Sequence, residues 1–361
     1  MTSRMMRKMK TVIIDAHPLT RFHFGKLAID NKTGLSDTSG WLSSDALFSA
    51  LVNNVAKYKA DQTVAFIKLF KDGKVRISSL FYCLSNGEKN IYFLPKPVNA
   101  STKLPEDTDY PIIKRIKKVR FVSQTVLETY SEKWVENLTE LRFVGNAVLL
   151  NQECTEDFKK EVDGLYMKGF APHINSRPLP PKDEENSETK TPQNELFQTA
   201  YVQLPLYRHW KSSLYFLMDD ESLNEEEQKL LNFAVELIRF EGLGGKRNVG
   251  YGWIDNVNLN PVFPFEWTPK TEISKSITTG LLIPKDLEEF EKLEAYDLVR
   301  RGGRKIDSKI TLKEVNMIAE GALLKGIDQP KGKLADISPN EDSVFLRLGS
   351  CITLPLNETE S

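Results

Sequence analysis

The residues most able to do chemistry lie in Gly242-Leu-Gly-Gly-Lys-Arg-Asn-Val-Gly-Tyr-Gly252, where five glycines fall in eleven positions. Glycine reaches positive φ without steric cost, so such a stretch can turn successive amide N–H groups into a concave nest for an oxyanion. Lys246 and Arg247 put two cations beside it. A helix C-cap and a tight turn account for Gly242, and leave Gly244, Gly245, Gly250 and Gly252 unexplained. The segment runs from helix to loop to strand, the reverse of dinucleotide and P-loop sites, and neither glycine fingerprint can be spelled in it. A nucleotide-dependent enzyme is disfavoured, and no cofactor is expected. Gly250-Tyr-Gly-Trp-Ile254 echoes an RNA-recognition strand on which Tyr251 and Trp253 would share one face for base stacking. It lacks the leading Lys or Arg and follows a helix, which favours core aromatics.

Arg21-Phe-His-Phe-Gly25 places planar and cationic groups just past a first strand, where a single RNA strand can be stacked and clamped. The other histidines, His17, His173 and His209, are scattered along the chain and assemble no ribonuclease set around His23, so general acid–base catalysis is disfavoured. Cys83, Cys154 and Cys351 are odd in number and widely spaced; they read as core thiols rather than disulfides or a zinc ribbon. Charge is segregated. Lys114, Arg115, Lys117, Lys118 and Arg120 put five cations in seven positions, 298–313 holds six basic groups against Asp307, and 286–297 holds six acids against Lys292. Such patches suit an anionic polymer on one face and protein partners on another, although each run alone also reads as a solvated face.

The elements that must position these groups are legible in part. The chain has 361 residues, a net charge of −1 and 40% apolar residues, an ordinary globular composition that at this length predicts two domains, since one core rarely exceeds ~250–300 residues. No apolar run reaches the ~18 residues of a membrane span, and Met1 to Lys10 lacks the apolar stretch of a secretion signal, so a cytoplasmic protein without membrane contact is expected. Val12 to Asp15 reads as a strand, and a polar loop runs from His17 to Ser43. A helix capped by Ser43 or Ser44 carries Asp45 in its first turn and an apolar stripe of Leu47, Phe48, Leu51, Val52 and Val55. Ala65 to Phe70 and Val75 to Leu84 flank Asp72-Gly73 as an expected hairpin, and Asn86-Gly87 turns into Ile91 to Leu94. Strand, helix, strand, strand is the first half of a ferredoxin-like βαββαβ unit.

Beyond it, a helix is expected around Glu156 to Met167. Residues 176–195 hold four prolines and almost nothing apolar, and read as disordered. Strands follow at Leu196 to Leu206 and Ser213 to Met218. A helix opening on a Ser222–Glu225 capping box buries Leu230, Leu231, Ala234, Leu237 and Ile238 and stops at Gly242. A strand at Gly250 to Leu259 makes 222–259 a helix–strand unit that completes the first fold or belongs to a second. Strands at Ile277 to Ile283 and Val344 to Leu356 and a charged helix at Leu287 to Arg301 close the chain.

Taken together, Thr20-Arg-Phe-His-Phe-Gly25, Ser36-Asp-Thr-Ser39 leading into Leu42-Ser-Ser-Asp-Ala-Leu-Phe-Ser-Ala-Leu51, Tyr92-Phe-Leu-Pro-Lys-Pro97 and the glycine loop resemble the RAMP superfamily of CRISPR proteins, and within it the fourth-subunit family of type III-A Csm interference complexes. The resemblance implies an α+β fold of two ferredoxin-like (RRM-like) βαββαβ domains with an inserted thumb hairpin. The expected boundaries are an N-terminal domain 1–95, an insertion 96–195 and a C-terminal domain 196–361 carrying the glycine loop.

It further implies a non-catalytic subunit that holds the 5′ repeat-derived tag of the CRISPR RNA (crRNA). Its neighbours would be the large polymerase-like signature subunit, the backbone RAMP subunit, and target RNA near the tag-proximal end. Gly242, Gly244, Gly245, Lys246, Arg247, Asn248 and Tyr251 then fall in the family's glycine loop. Arg21, His23, Phe24 and Gly25 fall in its first-strand motif, and Ser44 at a helix start whose N–H groups suit a phosphate. His173-Ile-Asn-Ser-Arg177 resembles the strand that opens the thumb, with His173 and Arg177 as RNA contacts and Ser176 where an Asp is usual. Lys114, Arg115, Lys117 and Lys118 are assigned to RNA on charge alone. The alternative is a metal-dependent endoribonuclease cutting target RNA through Asp37, in the loop that also holds Asp30.

Overall fold

Val12 and Ile14 alternate as fully buried residues in β1 (Arg7–Asp15), the strand about which the main sheet is built. The computed structural model describes residues 7–25, 37–100, 104, 108–175, 195–261, 264–268, 273–303, 311–326, 329–340 and 344–357. After β2 (Arg21–Phe22), α1 (Ser44–Tyr58) buries Leu47, Phe48, Leu51 and Val55 on one stripe, as the spacing predicts. Next comes α2 (Thr63–Lys71), which corrects the strand expected at Ala65 to Phe70. Phe66, Leu69 and Phe70 are its buried residues, at i, i+3 and i+4, so the apolar run has helical period. Asp72-Gly73 ends that helix instead of turning a hairpin: Asp72 N–H donates to Lys68 O at 2.8 Å, and Gly73 takes φ +71°. The expected second strand shortens to β3 (Arg76–Ile77) and β4 (Phe81–Ser85). The Asn86-Gly87 turn does join β4 to β5 (Asn90–Pro95).

The chain continues through α3 (Tyr110–Lys118), β6 (Phe121–Ser123), α4 (Gln124–Tyr130), β7 (Leu141–Val144) and β8 (Ala147–Leu150). The helix expected over Glu156 to Met167 is shorter, α5 (Glu156–Glu161). β9 (Met167–Asn175) and β10 (Glu195–Gln203) pair antiparallel along their full length; the stretch 176–194 expected to be disordered lies outside the described residues, as does Arg177. β11 (Lys211–Asp219), α6 (Glu225–Glu236), α7 (Ile238–Glu241) and β12 (Asn256–Asn258) follow.

The main sheet runs β12-β1-β11-β4-β5-β6-β8-β7. Neighbours among its first four members are antiparallel, and in chain order these are first strand, helices, second strand, third strand, helices, fourth strand. That is a split βαββαβ unit with strand order 4-1-3-2. β11 through β12 therefore complete the N-terminal unit, which corrects their expected grouping with 196–361: β1 needs a partner on both edges, and residues 211–258 supply both. Asn54 Nδ2 of α1 donates to Ala234 O of α6 at 3.0 Å, fastening the helices together.

Two further boundaries move. The capping box is Asn224 with Glu227, not Ser222 with Glu225: Glu227 N–H donates to Asn224 Oδ1 at 2.9 Å and Asn224 N–H to Glu227 Oε2 at 3.0 Å. Ser222 Oγ instead donates to Lys74 O. The strand expected from Gly250 shrinks to β12 because Gly250 and Gly252 take φ of +84° and +72°, which a strand cannot hold.

C-terminally, a four-stranded sheet orders Leu293–Ala295, Leu323–Lys325, Ile273–Thr278 and Thr353–Asn357. The helix expected over Leu287 to Arg301 is one turn, Leu287–Glu291, followed by two strands. Ile277, Leu323, Leu354 and Leu356 share one continuous apolar core with Val12 and Phe48. Among the described residues no helix is long and apolar enough to cross a membrane.

Candidate nucleic-acid interface

The glycine loop is buttoned to the segment after β1. Gly245 N–H donates to His23 O and Gly252 N–H to Arg21 O, each at 2.8 Å, while Leu243 N–H closes onto Gly252 O at 3.0 Å. A Cβ on Gly252 would stand 2.0 Å from Leu243 O, and one on Gly244 2.8 Å from His23 O, so close backbone approach requires both glycines. Lys246 adopts the left-handed conformation, φ +62°, and opens a single 3₁₀ turn, Arg247–Val249. Its carbonyl accepts from Val249 and Tyr251, and Arg247 O from Gly250.

Most amides expected to form an open nest are thus engaged in hydrogen bonds within the loop or to the segment at Arg21–His23. The exposed start of the turn is what remains: the N–H groups of Arg247 and Asn248 make no hydrogen bond among the described residues. Arg247 Nη1 donates to Glu241 O at 2.9 Å, fixing the guanidinium beside them. Tyr251 is buried and Trp253 is 67% exposed, so the two aromatics do not share a face.

Arg21, exposed at the mouth of the loop, lies 5.0 Å from the centroid of the Tyr201 ring and hydrogen-bonds Tyr251, whose phenol burial pushes above its ordinary range. Tyr201 and the exposed Phe240 escape a reading of the sequence, whereas Trp253, read as a core aromatic, is exposed. Tyr201 reaches Arg21 only because β10 pairs with β2 across 180 residues, a separation no local pattern reports.

The neighbouring positions turn inward. His23 is 5% exposed, with Nδ1 2.9 Å from Ala200 O, and Phe24 is fully buried, stacked on Phe22 at 5.4 Å between centroids. Neither presents a ring to a base, which corrects their expected direct contact; Gly25 is exposed.

The helix start at Ser44 is closed as well. Its N–H donates to Ser79 Oγ at 2.8 Å, and its Oγ accepts from Leu281 N–H at 2.9 Å, so the Ser44 amide and hydroxyl are already engaged within the fold. Beside it Asp45 is wholly buried and gripped by Arg301 and Arg347. Burial alone would push its carboxyl up, but the two guanidinium charges outweigh that and hold it below the usual range. Glu320, half-buried, accepts from Ser79 Oγ and Trp41 Nε1, and desolvation of its carboxyl pushes it upward.

Lys114, Arg115, Lys117 and Lys118 are exposed on α3, which leads into β6, five strands along the sheet from the β12 that follows the glycine loop. His173 lies in β9 with its backbone opposite Phe197. Asp37 Oδ1 accepts from Thr38 N–H at 2.7 Å; Asp30 lies outside the described residues. Among the described residues no group of three or more His, Cys, Asp or Glu could hold a metal ion. All three cysteines are buried and unpaired with one another, and burial pushes the Cys154 thiol up to about 11.

The model for the RAMP superfamily matches residues 21–255, and that for the CRISPR Csm4 C-terminal domain matches residues 271–356. "CRISPR system Cms protein Csm4" of Methanocaldococcus jannaschii is 24% identical over 361 residues, covering 92% of this chain and 90% of that protein. A chain in the crystal structure of the Csm3-Csm4 subcomplex of the type III-A CRISPR-Cas interference complex aligns with a TM-score of 0.63 at 23% identity, covering 97% of this chain and all of that one. A chain of a Csm1-Csm4 cassette in complex with cA4 aligns with a TM-score of 0.54 at 17% identity, covering 98% of this chain and all of that one.

Proposed function

The chain belongs to the RAMP superfamily and carries a C-terminal domain of the Csm4 type, and from that premise we propose that it is the subunit of a type III-A Csm effector complex that anchors the 5′ tag of the crRNA. It bridges the large signature subunit and the backbone RAMP subunit, counterparts of the Csm1 and Csm3 found with the structural relatives. It acts in the cytoplasm and cuts nothing itself.

The observation that carries this reading is the exposed Arg247–Asn248 turn. Two consecutive amide donors stand beside the cations Lys246 and Arg247 on one turn, tied down by the Gly245–His23 and Gly252–Arg21 hydrogen bonds. Amides and guanidinium groups at such a turn position a phosphodiester without reading sequence. Arg21 over Tyr201 adds a planar cation on which a splayed base can stack.

Sequencing RNA that co-purifies with the complex tests the reading, a common 5′ sequence being expected. The double variant Lys246→Ala/Arg247→Ala should lower the salt slope of RNA binding by ~0.7 for each phosphate it no longer neutralises. An unchanged slope with intact fold counts against the loop. Appearance of a specific target cut that Asp37→Ala abolishes counts against a purely binding role.

A further inference from the structure

We infer that α3 and the arginine that follows it form a second, sequence-independent contact for the phosphate backbone of an RNA strand, apart from the glycine loop. Only Ile116 of this helix is fully buried. Lys114, Arg115, Lys117, Lys118 and, just past its end, Arg120 are all exposed, and none takes part in an ion pair among the described residues. Elsewhere Lys57 is paired with Glu241, Lys74 with Glu227, Lys159 with Glu156 and Lys229 with Glu225.

Arg115 is engaged within the fold, its guanidinium 4.5 Å over the Phe143 ring, but the remaining charges crowd one another at a cost to stability. Lys114 faces Lys117 and Lys118 at i+3 and i+4, where like charges repel. Lys96 lies beneath, its Nζ 3.5 Å from Ile116 O; burial first, then the charge of Arg120, holds its ammonium below the usual range despite Asp297. The helix dipole welcomes cations in the last turn, which covers Arg115, Lys117 and Lys118 but neither Lys114, in mid-helix, nor Arg120, beyond it.

An anionic ligand removes the repulsion, and the composition points to a polyanion. Lysine is depleted at protein interfaces, whereas flexible lysines beside an exposed aromatic suit a single strand; Tyr110, at the start of the helix, is 75% exposed. α3 leads into β6, and β12 adjoins the glycine loop. In the order β12-β1-β11-β4-β5-β6 these are five strand spacings apart, roughly 24 Å at ~4.8 Å each, so one nucleotide cannot touch both. The choice of RNA as the polyanion rests on the function proposed above.

The test uses the full chain, a fluorescent single-stranded oligouridylate, and fluorescence anisotropy across a salt series. The triple variant Lys114→Gln/Lys117→Gln/Lys118→Gln should weaken binding at least tenfold at low salt and flatten the salt slope by ~2, from ~0.7 per neutralised phosphate. Arginine at the same three positions should restore both. Circular dichroism melts of each variant establish that the fold is intact. Unchanged affinity and slope in the folded triple variant overturn the inference, including when that variant instead fails to hold an acidic protein partner. Measured alongside, Lys246→Ala/Arg247→Ala separates the two readings: weakened binding there with none in the α3 variant sinks only this inference, and the converse sinks only the loop.

Discussion

Asp45 and Arg301 lie 256 residues apart and form a two-pronged ion pair, Nε to Oδ2 at 3.0 Å and Nη2 to Oδ1 at 3.1 Å. Arg347 adds a third bond at 3.0 Å, and Ser43 Oγ donates to the same carboxylate at 2.6 Å. The start of α1 is thereby clamped to the C-terminal strands.

Removing the charge leaves two guanidinium groups in a dry site. Asp45→Asn should cost about 3–5 kcal/mol, the range for breaking one partner of a buried pair. The shift in urea midpoint at constant m value measures it, and a loss below about 1 kcal/mol would mean that water reaches the clamp.

Asp45 and Glu320 give opposite pH dependences. The folded carboxyl of Asp45 titrates below 3.8, so its stabilisation is complete above about pH 4 and is lost as pH falls through the folded value. Glu320 titrates above 4.5 in the fold, so its burial costs stability as pH rises past that point. Glu320→Gln should therefore raise Tm near about pH 8 and leave it unchanged near about pH 4. Equal shifts at both ends would place the effect in packing instead.

The glycines divide by what a methyl would meet. Gly250, at φ +84°, faces open space, so Gly250→Ala should cost only the ~1–2 kcal/mol of a left-handed alanine. In Gly252→Ala the new carbon would fall on Leu243 O; the loop must then part from Arg21, with a larger fall in Tm and weaker RNA binding. Equal melting points for the two variants would contradict the close approach.

His23 supports the loop from below. His23→Ala strands the Ala200 carbonyl and should lose ~1–3 kcal/mol, with the salt slope of RNA binding unchanged. A flattened slope with unaltered Tm would put the imidazole on the nucleic acid instead.

Period and punctuation made α1, the β4–β5 hairpin and the apolar face of α6 legible in the sequence, because each rests on neighbours along the chain. The run Ala65 to Phe70 was ambiguous for the same reason: a short apolar segment before Asp-Gly fits a strand with its turn or a helix with its cap, and burial against α1 and α6 decides. In the candidate site, Arg247, Asn248 and Arg21 lie on the surface, where local reading places them, and Lys246 is half-buried. His23, Phe24 and Ser44 do not, since their partners Ala200, Phe22 and Leu281 arrive through tertiary structure, and two of those lie far along the chain. Asp45 carried the strongest misdirection: at a helix N-terminus an acid suits the dipole, and nothing nearby announces two arginines from beyond residue 300.

The pairing of β1 with β11 and β12 also orders events in time. Ile13 finds Tyr215 on one side and Asn258 on the other, so the first strand off the ribosome waits for some two hundred residues of translation. At ~5–20 residues per second that is about 10–40 s with Val12 and Ile14 unsheltered. The nascent polypeptide must be chaperoned through that interval or held loosely collapsed, and a nonsense codon anywhere before β11 yields an orphaned strand prone to aggregate.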